Sequence, residues 1–233
     1  SRAAEWVKYY PKGSLKETPR LAATDAKVVL ICVGNDDDVR SVVYGENGVL
    51  AGMSPGSILL DHTTTSAELA RELFQTSDDL GIQFLDAPVS GGQAGAEKGK
   101  LTVMLGGDQS SYDTVISLLN CYSQKHQLMG PSGSGQLTKM VNQICIAGVV
   151  QGLSEALHFA QNAELEVDKV IDVISKGAAQ SWQMENRWST MVNGEFDFGF
   201  AVDWMRKDLG IVIDEAKRNK STLPVTALVD QFY

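Results

Sequence analysis

An α/β domain followed by an all-α domain is the architecture this chain predicts, on two observations. Short β-branched runs alternate with helical patterns as far as residue 130, and after Gly130 no strand pattern returns. The first feature is the signature of a parallel, doubly wound sheet covered by helices.

The strand candidates are Val28 to Val33, Ile58 to Asp61, Gln83 to Ala87, Leu101 to Leu105 and His126 to Met129. Helices are predicted between them over Asp37 to Val43, Ser66 to Gln75 and Gln109 to Leu119, with Thr65 or Ser66 able to cap the second. Pro131-Ser132-Gly133-Ser134-Gly135 then punctuates the chain, dividing it into domains 1–130 and 131–233. A nearly unbroken helical pattern runs from Gln136 to about Ala163, a span of roughly 40 Å at about 1.5 Å per residue. Its mid-section is apolar almost all round, which predicts burial by several neighbours, including another subunit. Val167 to Lys176, Gln180 to Met191 and Val202 to Asn219 complete the predicted helices.

Composition narrows the function classes. With 29 acidic against 20 basic residues and a formal charge of -9, the chain repels nucleic acid and anionic membrane surfaces, and no basic cluster offsets this. The longest apolar runs, Val28 to Val33 and Ile144 to Val150, fall short of the roughly 20 residues of a membrane span, so no membrane partner is expected. Cys32, Cys121 and Cys145 lie far apart in apolar surroundings with neither metal spacing nor a disulfide framework, which suits a reducing cytoplasm. His62, His126 and His158 are scattered and read as structural, so no metal site is expected. Ser1 to Tyr10 has no apolar core and no initiating Met, so it reads as neither a signal peptide nor a natural beginning.

Four segments carry possible chemistry. In Asp86-Ala87-Pro88-Val89-Ser90-Gly91-Gly92 a strand ends in a Ser-Gly-Gly turn whose backbone N–H groups can form a nest for a carboxylate, although chain reversal alone also explains it. In Gly133-Ser134-Gly135-Gln136-Leu137-Thr138-Lys139-Met140-Val141-Asn142-Gln143 a Gly-rich loop opens the long helix, and Lys139, Asn142 and Gln143 share a face. A cation in a helix's first turns opposes the macrodipole, which should lower its pKa into a range useful for proton transfer; the bland alternative is a solvated lysine. Near Asp203-Trp204-Met205-Arg206-Lys207-Asp208-Leu209, either Arg206 or Lys207 can reach an anion while Phe196, Phe198 and Phe200 pack the helix entrance. The fourth segment comprises two strand ends, Val33-Gly34-Asn35-Asp36-Asp37-Asp38 and Asp61-His62-Thr63-Thr64-Thr65, whose small polar residues suit a dinucleotide at the sheet's carboxyl edge or simple helix capping.

Together, and in this order, these segments resemble the β-hydroxyacid dehydrogenase family, the group that contains 3-hydroxyisobutyrate dehydrogenase and tartronate semialdehyde reductase. The resemblance runs from Ser1 to Tyr233 and is most specific over Asp86 to Gly107. It implies a Rossmann-type domain, incomplete at its N-terminus because the family's opening strand and Gly-x-Gly-x-x-Gly turn are not found, followed by a helical substrate and dimerisation domain. It also implies that Ser90, Gly91 and Gly92 hold a substrate carboxylate, that Lys139 is the catalytic acid/base, and that Asn142 or Gln143 orients substrate. Val33, Gly34, Asp38, Thr64 and Lys207 would line NAD or NADP; Gly34 and Asp38 stand where relatives usually have proline and asparagine.

The activity implied is hydride transfer between NAD(P) and a small 3-hydroxy acid or its semialdehyde, such as 3-hydroxyisobutyrate, tartronate semialdehyde or succinic semialdehyde, in a homodimer or homotetramer. The alternatives are a 6-phosphogluconate-type decarboxylating dehydrogenase, disfavoured by a short second half, and a non-catalytic scaffold on the same fold. The retained Lys139 argues against the scaffold and against imine reductases.

Overall fold

The structure is a computed structural model describing residues 2–197 and 199–233. Two compact units emerge, Ser1–Lys139 and Met140–Tyr233.

In the first unit, α1 (Arg2–Tyr9) and α2 (Pro19–Ala23) precede the sheet. Thr18 caps α2 by accepting the Leu21 amide at 3.2 Å. The core of the unit is β1 (Val28–Ile31), α3 (Asp36–Val43), β2 (Ile58–Asp61), α4 (Ala67–Asp79) and β3 (Gln83–Asp86). After it come β4 (Val89–Ser90), α5 (Gly92–Glu97), β5 (Leu101–Gly107), α6 (Gln109–Leu119) and β6 (Ser123–Leu128). Strands β1, β2 and β3 pair in parallel in chain order. Residues alternate across the sheet: Leu59 joins Val39, Leu69, Leu73 and Phe84 on one face, while Ile58 and Leu60 join Leu85, Val103, Leu105 and Leu119 on the other.

The sheet is mixed rather than wholly parallel. β5 pairs antiparallel with β3 through Gly106 and Gly107 and with β4 through Thr102 and Val103, and β6 lies parallel to β5. The physical reason is length: Gly91 to Lys100, largely occupied by α5, is too short for the crossover of about a dozen residues that a parallel return requires. β5 also runs two residues past the predicted Leu105. A Cβ on Gly106 would sit 2.6 Å from Asp86 Oδ1, and one on Gly107 would sit 2.6 Å from Leu85 Cδ2, so only glycine permits this pairing. β6 starts at Ser123, earlier than the predicted His126, because its polar residues belong to a half-exposed strand with little apolar pattern to announce it.

α7 (Ser134–Asn162) starts in the first unit and continues into the second, where α8 (Val167–Ile174), α9 (Trp182–Asn193), α10 (Val202–Asn219) and α11 (Pro224–Phe232) follow. Ser181 caps α9 by accepting the Met184 amide, and Gly194 closes it in the left-handed conformation. Two apolar clusters organise this unit, one of Leu153, Leu157, Ile171 and Met184 and one of Ala147, Met205, Leu209 and Val229.

Along α7 an apolar surface stays open on this single chain, with Val141, Val149 and Phe159 61%, 37% and 71% exposed. With an 18-residue stretch of mean hydropathy 1.2, α7 is by length and composition sufficient for a membrane span, a property that counting only unbroken apolar runs overlooks. The expected aromatic packing at the entrance to α10 does not involve Phe196 or Phe200, which are exposed; Phe198 lies outside the described residues. The three cysteines are also exposed rather than apolar-lined, and each carries a thiol rather than a disulfide.

Candidate functional site

The carboxyl ends of β1, β2 and β3 carry the candidate residues of the first unit. After β1, Val33 is exposed and Gly34 half-buried; the Val33 amide donates to Thr63 Oγ1 at 3.0 Å, which ties the end of β1 to the loop after β2. Thr64 is half-buried in that loop. Asp38 lies apart, exposed in the first turn of α3, where its amide donates to the capping Asn35 Oδ1 at 2.8 Å. Two neighbouring parallel strands thus end side by side in small residues, the place where open α/β sheets receive ligands, and the residues fit a dinucleotide.

β3 ends at Asp86, which is fully buried. Its carboxylate accepts the Gly133 amide at 2.8 Å and the Gln136 amide at 3.0 Å, so a side chain from the sheet caps the first turn of α7. Glycine is required at the contact. A Cβ on Gly135 would fall 2.5 Å from the Met104 carbonyl oxygen and 2.8 Å from that of Asp86. Lys139 follows one turn later and is only 7% exposed, which discards the solvated-lysine alternative.

Four residues beyond Asp86, half-buried Ser90 ends β4. Gly91 and Gly92 adopt φ of 127° and 59°, conformations that L side chains resist, and nothing lies within 4 Å of where a Gly92 Cβ would be. The turn is therefore open on that side and presents backbone at the surface.

Two polar groups beside these ends, half-buried His62 and buried Asp61, act within the framework. His62 donates from Nδ1 to the Ala87 carbonyl at 2.6 Å and meets the Tyr122 hydroxyl through Nε2 at 2.9 Å, and burial lowers its pKa, so it is a neutral strut between β2 and the β3–β4 connection. Asp61 accepts the Thr63 amide at 2.9 Å. Burial pushes its carboxyl up to about 7, against the pull of the Thr63 bonds and with a further push from Asp86.

A folded-state pKa above the unfolded value means that the folded protein keeps a proton the unfolded chain releases. The stabilisation present at acid pH is therefore lost progressively between about pH 4 and about pH 7. Asp61→Asn keeps an acceptor for the Thr63 amide and cannot ionise. Urea titrations across this range should show the wild-type slope, at most about 1.4 kcal/mol per pH unit for one proton, reduced in the variant. Identical slopes in both proteins would discard the buried-acid assignment.

The remaining candidates, Asn142, Gln143 and Lys207, belong to the second unit. Gln143 is buried and engaged at both ends: Oε1 accepts from Asn142 Nδ2 at 2.8 Å, and Nε2 donates to Asp208 Oδ2 at 2.5 Å. Asp208 also pairs with Lys207 Nζ at 3.0 Å, and that ammonium lies 5.8 Å from the centre of the Trp204 ring. Arg206 turns instead toward Asp230 at 3.7 Å. Of the two amides weighed above, Asn142 is the half-exposed one.

Comparison with known proteins identifies the family. Residues 1–130 match the NAD-binding domain of 6-phosphogluconate dehydrogenase, and residues 133–233 match the NAD-binding domain of NADP-dependent 3-hydroxyisobutyrate dehydrogenase. The chain is 64% identical over its full length, and over 80% of the relative, to an uncharacterized oxidoreductase of Shewanella frigidimarina. It is 32% identical to the 2-hydroxy-3-oxopropionate reductase of Escherichia coli, over 93% of this chain and 74% of that one. A crystal structure of 3-hydroxyisobutyrate dehydrogenase from Salmonella typhimurium superposes with a TM-score of 0.81 at 32% identity, covering 92% of this chain and 75% of that one. Matches to both halves of the chain, with relatives more than 30% identical, place it in the β-hydroxyacid dehydrogenase family, with NAD or NADP as its cofactor.

Proposed function

We propose that the protein interconverts a small 3-hydroxy acid and its semialdehyde, with Lys139 as acid/base and Ser90-Gly91-Gly92 as the carboxylate anchor. NAD or NADP, when bound, accepts or supplies the hydride. In oxidation Lys139 Nζ takes the hydroxyl proton, and in reduction it returns a proton to the aldehyde oxygen. Backbone amides at Gly91 and Gly92, with the Ser90 hydroxyl, fix the carboxylate and so the orientation of the carbinol carbon. Asn142 orients the reacting oxygen, while Gln143 holds Asn142 through its own bond to Asp208. Val33, Gly34 and Thr64, at the ends of β1 and β2, line the dinucleotide.

The observation that carries the proposal is the Asp86 carboxylate. It lies on the strand that leads into the Ser90 turn and binds the turn of α7 that leads into Lys139, so one buried group anchors both. The substrate class follows relatives named for 3-hydroxyisobutyrate and 2-hydroxy-3-oxopropionate. Exposed thiols accord with a cytoplasmic protein, and the apolar exposure of Val141, Val149 and Phe159 accords with a homodimer or homotetramer.

A nicotinamide absorbance assay over a panel of 3-hydroxy acids and semialdehydes tests the activity. The anchor is tested by combining Ser90→Ala with Gly92→Val, which forces a β-branched residue into a left-handed conformation. Substrate KM should rise by about 10-fold or more while cofactor KM stays within about twofold. Equal rises in both would remove the turn from substrate binding.

A further inference from the structure

Gln136 is fully buried and uses its side chain at both ends. Nε2 donates to the Thr63 carbonyl at 2.7 Å, and Oε1 accepts the Thr65 amide at 3.0 Å. A primary amide laid across two backbone groups of one loop reproduces a step of β-ladder, offering a donor and an acceptor at once without any change of protonation. The loop it grips is itself tied to the end of β1, through the Val33 amide on Thr63 Oγ1. At its backbone, Gln136 donates to Asp86 on β3. A continuous set of hydrogen bonds therefore runs from Val33, through Thr63 and Gln136, to the turn of α7 that ends at Lys139.

We propose that Gln136 is a positioning residue that couples the dinucleotide-facing loops after β1 and β2 to the helical turn bearing Lys139. This rests on Lys139 being the acid/base. Loop and lysine are held in one frame by the side chain of Gln136, and neither Ser66 capping α4 nor Asp86 capping α7 makes that link. A misplacement of about 1 Å at a proton-transfer group costs on the order of 10²-fold in rate, so even partial loosening is measurable.

Gln136→Met keeps length and apolar volume and removes both bonds. Hydrogen exchange read by mass spectrometry, without substrate or cofactor, should show faster exchange in peptides covering residues 61–66 and 133–139 of the folded variant, with the rest of the sheet unchanged. In the full assay kcat should fall about 10-fold or more and cofactor KM should rise severalfold. Gln136→Glu provides the second arm. Its protonated carboxyl restores donor and acceptor, and its ionised form cannot donate to the Thr63 carbonyl. The charged groups around it are Asp86 on β3, Asp61 on β2, Lys139 on its own helix and Arg71 on α4, whose Nε lies 3.2 Å from where a Gly133 Cβ would be.

Gln136→Glu should therefore be at least 10-fold less active than wild type at pH 9, where its carboxylate cannot donate to the Thr63 carbonyl. Unchanged exchange at 61–66 in Gln136→Met, or wild-type activity of Gln136→Glu at pH 9, overturns the coupling. Failure of the underlying reading looks different: Lys139→Met would retain turnover while the exchange result at 61–66 still stood.

Discussion

Lys139→Met should lower kcat by on the order of 10²-fold or more and leave cofactor KM within about twofold. Methionine matches the aliphatic stem of lysine in length, and at 7% exposure that stem is part of the packing around the start of α7, so the variant removes the ammonium with little change of volume. If the lysine were a packing residue only, turnover would follow stability. A variant that melts close to wild type yet loses turnover separates the two, and near-normal kcat in a folded Lys139→Met removes the residue from the mechanism. Thermal melts beside steady-state kinetics at saturating cofactor are sufficient. The effect belongs in kcat because the proton is transferred only as the transition state forms, while binding relies on groups that the substitution leaves in place.

What was legible beforehand follows the strength of local signals. β2, α6 and α10 carry clear apolar periods between turn residues, and their bounds were read correctly from the chain. The direction of β5 was not, because strand polarity depends on the length of the connection and on Gly106 and Gly107 meeting β3, neither of which leaves an alternation pattern. α11, opening on Pro224, and the short α1, α2 and α5 escaped for a similar reason: few turns give little periodicity. At the site, Lys139 and the Ser90 turn stood out because a cation at a helix start and a double glycine after a strand are local anomalies. Gln136 and Asp86 did not, since a buried amide or carboxylate looks like any surface residue until its partners, 47 to 73 positions away, are known. The aromatic segment before α10 shows the opposite error, in which composition suggested a small core and the chain leaves Phe196 and Phe200 exposed.

Asp86→Ala should be the most destabilising single change at the site, and comparing it with Asp86→Asn tells why. Burial raises the Asp86 pKa despite the amides of Gly133 and Gln136 and the Ser132 hydroxyl, so desolvation outweighs those bonds and the charge by itself opposes folding. What the residue contributes is acceptor capacity and volume in a space where Gly106 and Gly135 were kept small to receive it. Alanine strands two buried N–H donors at the start of α7, each worth about 1–3 kcal/mol when unsatisfied, so a loss of roughly 2–6 kcal/mol is expected. Asparagine fills the same volume and accepts one of the two amides, while its own N–H₂ faces the other, and it also relieves the desolvated charge, so about 1 kcal/mol is expected. Urea unfolding at pH 7 measures both. A loss with asparagine equal to that with alanine would mean that the negative charge itself holds the helix, and the account of Asp86 as a neutral-tolerant cap would be wrong.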